Sequence, residues 1–175
     1  MKRMRLVLLP LSLAATTVAG FCGGGSDEPR PVDTVQPVAT TDRVYYDDGP
    51  AFTDSVRLVV RDGQVMGSGL RQSTRTWSDV WAQATSSRPT RPPLPNIDFS
   101  RHMLLVVGAG RMSPGDRIRV DSAGVRGDRF VAVVRTVEEC RPFSASTYPL
   151  EIVRVPREQL PIHWEDRREK AAHCM

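Results

Sequence analysis

The feature that most constrains how this chain can fold is the stretch Asp98-Phe99-Ser100-Arg101-His102-Met103-Leu104-Leu105-Val106-Val107, closed by Gly108-Ala109-Gly110. A strand with one wet face would alternate apolar and polar residues. The unbroken run from Met103 therefore predicts a strand buried on both faces, beginning near Asp98 and ending at the glycines. It reads as the central strand of the core, because segments before and after it in the chain can pack onto it.

Those segments have their own signatures. Val56 to Met66 carries Asp62-Gly63 between apolar stretches, a pair suited to the positive φ that a type I′ turn needs at both central positions, so strands are predicted at about 55–61 and 64–71. Arg43-Val44-Tyr45-Tyr46 starts an edge strand. The period then changes: Thr76 and Asp79 stand at capping-box spacing, with Asp where Glu or Gln is usual, and Trp77, Val80, Trp81 and Ala84 recur at i, i+3, i+4 and i+7. A short helix follows, with both tryptophans on one face. Paired indoles can form a carbohydrate platform, but at helical spacing within one domain they read as core that covers one side of a sheet.

Pro89, Pro92, Pro93 and Pro95 make residues 86–96 a stiff connector. Beyond the central run, Gly110 to Gly115 is a turn and Ile118-x-Val120 a half-exposed strand. Val125 to Asp128 is another turn, and Phe130 to Val137 is an internal strand with apolar residues on both alternations. Pro149 opens a strand over Leu150 to Val155, and Pro161 to Trp164 forms a last short one. The expected fold is mainly β, an antiparallel sheet or sandwich with one short packed α-helix, over residues 43–175.

Different material precedes this domain. Met1 to Arg5 is short and cationic, Leu6 to Ala15 is apolar apart from Pro10 and Ser12, and small residues follow to Gly20, the three-part pattern of a bacterial export signal over residues 1–21. Leu6 to Phe21 spans 16 residues, short of the ~20 that a membrane-crossing helix needs. Ala19-Gly20-Phe21-Cys22 resembles a lipobox, where lipoprotein precursors are acylated on cysteine and cut just before it; it departs from the pattern at Phe21, where Gly, Ala or Ser is usual. Two outcomes follow: a lipid anchor on Cys22, or ordinary cleavage after Gly20 that leaves Cys22 as a near-terminal thiol. Gly23 to about Thr41 has no apolar periodicity and contains Pro29, Pro31 and Pro37, so residues 22–42 read as a flexible linker behind the anchor. The expected location is the bacterial cell envelope, periplasmic or at the surface, with membrane contact through the lipid.

The formal net charge of +4 invites a nucleic-acid reading. Lys2, Arg3 and Arg5 belong to the leader, however, and without these three the 24 basic residues fall to 21 against 20 acidic ones, interleaved along the chain. That leaves no basic face able to neutralise several phosphates, so nucleic acid is not an expected partner. At 40% hydrophobic and 25% charged, the composition is that of one globular domain.

The motifs that could carry chemistry are incomplete. Leu104 to Gly110 resembles the strand and glycine turn of a dinucleotide site, but the third glycine is replaced by Ser113 and no helix is predicted to follow. His102, His163 and His173 have no partner at metal-ligand spacing such as i+4, so neither a metal nor a cofactor is expected. Ser68, in Met66-Gly67-Ser68-Gly69, lacks the full nucleophile-elbow pattern and an identified base. With Cys22 in the leader-side segment, Cys140 and Cys174 remain as an even pair, expected as a disulfide in an oxidising compartment. Two reduced thiols, with His173 beside Cys174, are the alternative.

From Trp77 to Arg157 the chain resembles the domain of the PrcB family, named for the lipoprotein subunit of a bacterial surface protease complex. The resemblance rests on Trp77-x-x-x-Trp81, the proline-rich loop, Asp98-Phe99-Ser100-Arg101-x-Met103 entering a strand, the turn at Pro114-Gly115, Cys140, and Tyr148-Pro149-x-x-x-Val153-x-Val155-Pro156-Arg157. Where the family turn reads close to Pro-Thr-Gly-Gly-Tyr, this chain has Ser113-Pro114-Gly115-Asp116. The resemblance implies a β-rich accessory domain at the cell surface with no catalytic residues to carry over. The expected function is that of a non-enzymatic, envelope-anchored protein-binding module that supports a secreted or surface protease. A protease inhibitor acting through the turn at Arg111, Ser113, Pro114, Gly115 and Asp116 is the alternative, and a hydrolase is the third class.

Overall fold

The computed structural model describes residues 41–69, 75–140 and 145–174. The expected export signal at 1–21, the anchor Cys22 and the linker as far as residue 40 lie outside the described residues. Among the described residues the chain forms β1 (Asp42–Asp47), β2 (Ser55–Arg61), β3 (Gln64–Ser68), α1 (Trp77–Ala84), β4 (His102–Ala109), β5 (Arg117–Arg126), β6 (Arg129–Glu138), β7 (Leu150–Pro156) and β8 (Ile162–Lys170), then a 3-10 turn at Ala172–Cys174. It is a mainly β fold of two sheets and one short helix.

β4 is the middle strand of the sheet β1-β7-β4-β2-β3, in which every pair is antiparallel. Its alternation accounts for the unbroken apolar run. Leu104 and Val106 share a core cluster with Leu58, Val60, Ile152 and the tryptophans of α1. Met103, Leu105 and Val107 join the other cluster, with Phe130, Ala132 and Val134 of the second sheet. A strand covered by a helix on one face and a sheet on the other has no position at which a polar side chain meets water.

The strand opens at His102, four residues later than Asp98 suggests. The Asp98 carbonyl accepts from the N–H groups of Arg101 (3.2 Å) and His102 (2.9 Å), and its carboxylate accepts from the Ser100 N–H (3.0 Å) and hydroxyl (2.5 Å). The polar entry is therefore a side-chain-stabilised turn.

The local signals elsewhere act through their expected physics. Asp62 (φ 52°) and Gly63 (φ 74°) form the β2–β3 turn with Arg61 opposite Gln64. β3 is described as Gln64–Ser68, and residues 70–71 of the strand expected there lie outside the described residues. At α1 the Thr76 hydroxyl accepts from the Asp79 N–H (3.3 Å), and the Asp79 carboxylate accepts from the Thr76 N–H (2.9 Å), a reciprocal cap. Both tryptophans are buried, and their indole N–H groups donate to carbonyls of the proline-rich loop: Trp77 to Pro95 (3.2 Å) and Trp81 to Pro92 (3.1 Å). The loop is thereby tied across the helix.

The second sheet runs β5-β6-β8, with β5 antiparallel and β8 parallel to β6. The short strand expected at Pro161–Trp164 is thus a nine-residue strand, and its parallel sense follows from the connection. After β6 the chain passes through β7 in the other sheet and re-enters at Pro161, whose carbonyl accepts from the Phe130 N–H (2.9 Å) at the start of β6. β8 then runs alongside β6 in the same direction. Ile162 and Trp164 pack on the inter-sheet core, while the polar remainder pairs with its neighbours through Arg126–Glu165 (2.5 Å), Arg135–Glu169 (3.2 Å), Lys170–Glu138 (2.8 Å) and Arg57–Asp166. Just beyond the matching ends of the parallel pair, Cys140 and Cys174 form a disulfide with a Cα–Cα distance of 5.2 Å.

A buried carboxylate, Glu151, adds a polar link between the two sheets. The β5–β6 register shifts between Val120 and Ser122, a bulge that lets both Val120 and Ala123 reach the core. β5 is an edge strand, and the Val120 N–H beside the shift donates to Glu151 Oε2 (2.6 Å) from β7, while Arg43 of β1 donates to Oε1 (2.7 Å). Glu151 is 2% exposed. Replacing Glu151 by Ala would leave that buried N–H unsatisfied, so a loss of about 1–3 kcal/mol is expected in denaturant melts. Glu151→Gln, which keeps an acceptor, should lose less.

Candidate functional site

The turn singled out in sequence is built rigidly. The Asp116 N–H donates to the Ser113 carbonyl (3.1 Å), and Pro114 and Gly115 (φ 95°) occupy the positions that favour a fixed φ and a positive φ in a type II turn. The Asp116 carboxylate also accepts from the Ser113 N–H (3.0 Å) and, across the chain, from the Glu139 N–H (2.7 Å). On the other flank Met112 and Thr147 exchange backbone hydrogen bonds (2.9 and 3.0 Å), the Thr147 hydroxyl donates to the Ser113 carbonyl (3.2 Å), and Arg111 Nε donates to the Ser146 hydroxyl (2.8 Å). Arg111 and Gly115 are exposed, whereas Ser113, Pro114 and Asp116 are half-buried. The turn is a wall, fastened on both sides.

What it walls is an open cleft of about 630 Å³. The cleft is lined by Arg57 from β2, Arg111 and Asp116 from the turn, Glu138 from β6, and Arg168 and Lys170 from β8. Arg57 is committed to Asp166 and to the carbonyls of Val56 (2.8 Å) and Gly108 (2.9 Å). Glu138 pairs with both Lys170 (2.8 Å) and Arg168 (3.6 Å), and the hydrogen bond from the Lys170 ammonium holds its carboxyl below the usual glutamate range. Arg168 and Lys170 thus share a single carboxylate, while Asp116 and Glu139 add negative charge elsewhere in the lining, so the cleft carries both signs of charge.

Sequence reasoning reached the turn but missed Arg57, Glu138, Arg168 and Lys170. They come from three strands, and no spacing along the chain relates them; only the parallel β6–β8 register brings Glu138 opposite Lys170. The other residues weighed for chemistry are dispersed: Ser68 ends β3, His102 opens β4, His163 is exposed on β8, and His173 lies in the terminal turn. Gly108 and Gly110 serve packing. A Cβ on Gly108 would meet Val56 Cγ2 at 2.9 Å, Gly110 takes φ 72°, and a turn rather than a helix follows, so the dinucleotide reading is not met.

His173 Nε2 lies 2.8 Å from Glu139 Oε2, at the disulfide and at the foot of the turn. Among the described residues no helix is long and apolar enough to cross a membrane. No family model, no curated protein and no solved structure matches the chain.

Proposed function

We propose that this domain is a non-enzymatic protein-binding module, held at the cell envelope through Cys22, that docks an extended segment of a partner protein in the cleft beside the 111–116 turn. The observation that carries the reading is the make-up of the cleft. Small-molecule sites are mostly apolar and enclose their ligand, whereas this one is open and lined by charged and hydroxyl side chains on a fixed backbone. Such a surface suits a polypeptide whose backbone and carboxylates can hydrogen-bond along it. The exposed cations Arg111, Arg168 and Lys170 can pair with carboxylates of such a segment. The resemblance of Trp77 to Arg157 to the PrcB family supports a secreted or surface protease as that partner.

Inhibition by insertion of the turn into a protease cleft is the second reading, favoured by the preorganised backbone around Ser113, Pro114 and Asp116. Insertion needs a projecting loop, and the half-burial of those three residues favours docking instead.

Affinity capture from envelope extracts, run in parallel with wild-type protein and Arg111→Glu/Arg168→Glu, tests the proposal. Both arginines are exposed and their contacts to Ser146 and Glu138 lie at the surface, so the variant should remain folded, which its melt verifies, while losing a specific partner. Equal retention of the same proteins by both forms would sink the cleft as the docking site. An inhibitor would instead lower peptidase turnover and lose that effect in Pro114→Ala/Asp116→Ala. Hydrolysis by the domain itself, abolished by one Ser or His substitution, would overturn both readings. The anchor has its own test: Cys22→Ala should move the protein from the membrane to the soluble fraction, and the intact mass of the wild type should include the acyl chains. Unchanged fractionation would remove the anchor from the proposal.

A further inference from the structure

The disulfide sits inside a larger group of side chains with a second chemistry. One ligand atom from each of Glu139, Cys140, His173 and Cys174 lies within 4.8 Å of all the others. Two sulfurs, an imidazole nitrogen and a carboxylate oxygen are the donors that zinc(II) accepts in tetrahedral sites, where metal–ligand bonds of about 2.0–2.3 Å place the ligand atoms roughly 3.3–3.8 Å apart. Fitting the set around a metal therefore draws the widest pairs in by about an ångström and, once the bond is reduced, moves the two sulfurs apart. The non-sulfur pair is close, with His173 Nε2 at 2.8 Å from Glu139 Oε2, and needs to open by about half an ångström to span a metal. The framework is anchored on both sides: the Glu139 N–H donates to Asp116 (2.7 Å), and the Ala171 N–H donates to the Glu138 carbonyl (2.9 Å), tying the segment that carries His173 to the end of β6.

We propose that reduction of the Cys140–Cys174 disulfide converts this end of the β6–β8 pair into a site for zinc(II) or a similar borderline-soft divalent cation, with both cysteine thiolates, the His173 imidazole and the Glu139 carboxylate as its ligands. Cross-link and metal are then alternative fastenings of the same two strand ends. Cys140 is exposed, which gives a dithiol reductant access to the bond. A thiolate of the reductant attacks one sulfur and the other leaves as thiolate. The second thiol of the reductant then resolves the mixed disulfide, so the reductant departs as its own disulfide and two electrons stay on the pair as two thiols. Metal binding displaces the two thiol protons to solvent. Glu139 and Cys140 also line the cleft, but the metal site is read on the isolated protein, so its test does not depend on partner docking.

The test uses protein reduced with dithiothreitol, desalted without air and titrated with Co²⁺, then Zn²⁺. Reduced wild type should bind one equivalent of Co²⁺ with a near-ultraviolet thiolate-to-metal charge-transfer band and tetrahedral visible absorption, both erased by Zn²⁺. The oxidised protein should show neither. His173→Ala and Glu139→Gln should each weaken Co²⁺ at least about tenfold and alter the visible band. Both can be verified as folded in the oxidised state by their melts. Zn²⁺ should also raise the melting temperature of reduced wild type and not that of Cys140→Ser. Absence of the band, a band whose affinity and shape are unchanged in both His173→Ala and Glu139→Gln, or equal stabilisation of Cys140→Ser would overturn the assignment.

Discussion

Trp81→Ala is expected to lower the unfolding free energy by about 3–5 kcal/mol, the range for deleting a large buried aromatic. Trp81 is 5% exposed and belongs to the cluster formed by α1 and the sheet face of Leu104, Val106 and Ile152. Its ring lies 5.1 Å from Tyr45 in an edge-to-face arrangement and 5.5 Å from Trp77. The substitution removes the indole volume, these ring contacts and the donor that holds the Pro92 carbonyl, so the cavity and the loosened proline loop add to one another. Trp81→Phe should recover much of the loss while still lacking the donor. Denaturant melts of the two variants separate the contributions. A near-wild-type midpoint for Trp81→Ala would mean that the tryptophan face is an exposed platform rather than core.

Loss of the disulfide should be the second largest effect. Cys140 and Cys174 close a loop with a sequence separation of 34, for which chain-entropy reasoning gives roughly 3–4 kcal/mol. On a domain of this size that corresponds to a fall in melting temperature on the order of 10 °C. The location sharpens the expectation. Most of β8 from Asp166 onward is exposed, and its side chains contribute surface ion pairs worth about 0.2–1 kcal/mol each. In Cys140→Ser/Cys174→Ser, hydrogen exchange should therefore quicken most at residues 162–170 and least in β4. Thiol titration of unreduced protein should find neither cysteine available; two titratable thiols would contradict the cross-link.

The parts of this fold that a reader of the sequence could see are those fixed by neighbours along the chain. Asp62-Gly63 sets a turn by backbone sterics, Thr76 and Asp79 cap a helix within one turn, and the run through Val107 announces burial on both faces because every position in it is apolar. The hidden parts depend on pairing across the chain. β8 resembles a polar tail because its outer face is wet and its ladder partner is the distant β6. Glu151 looks like an ordinary strand carboxylate until the β5 bulge turns the Val120 N–H toward it. The turn at 111–116 was legible from Pro114, Gly115 and Asp116, whereas the cations opposite it were not, since Arg57 and Arg168 reach the cleft only after the two sheets stack.

Docking in that cleft is tested most directly by contact rather than by capture. A photoreactive benzophenone side chain is placed at Arg168, on the cleft rim, or at Arg91, exposed in the proline loop beside α1. Irradiation of cells carrying each form should give a discrete cross-linked adduct from position 168 and none from position 91. An adduct from position 91 alone, or from neither position in protein that is folded and membrane-associated, would contradict the proposal that the cleft docks a partner protein.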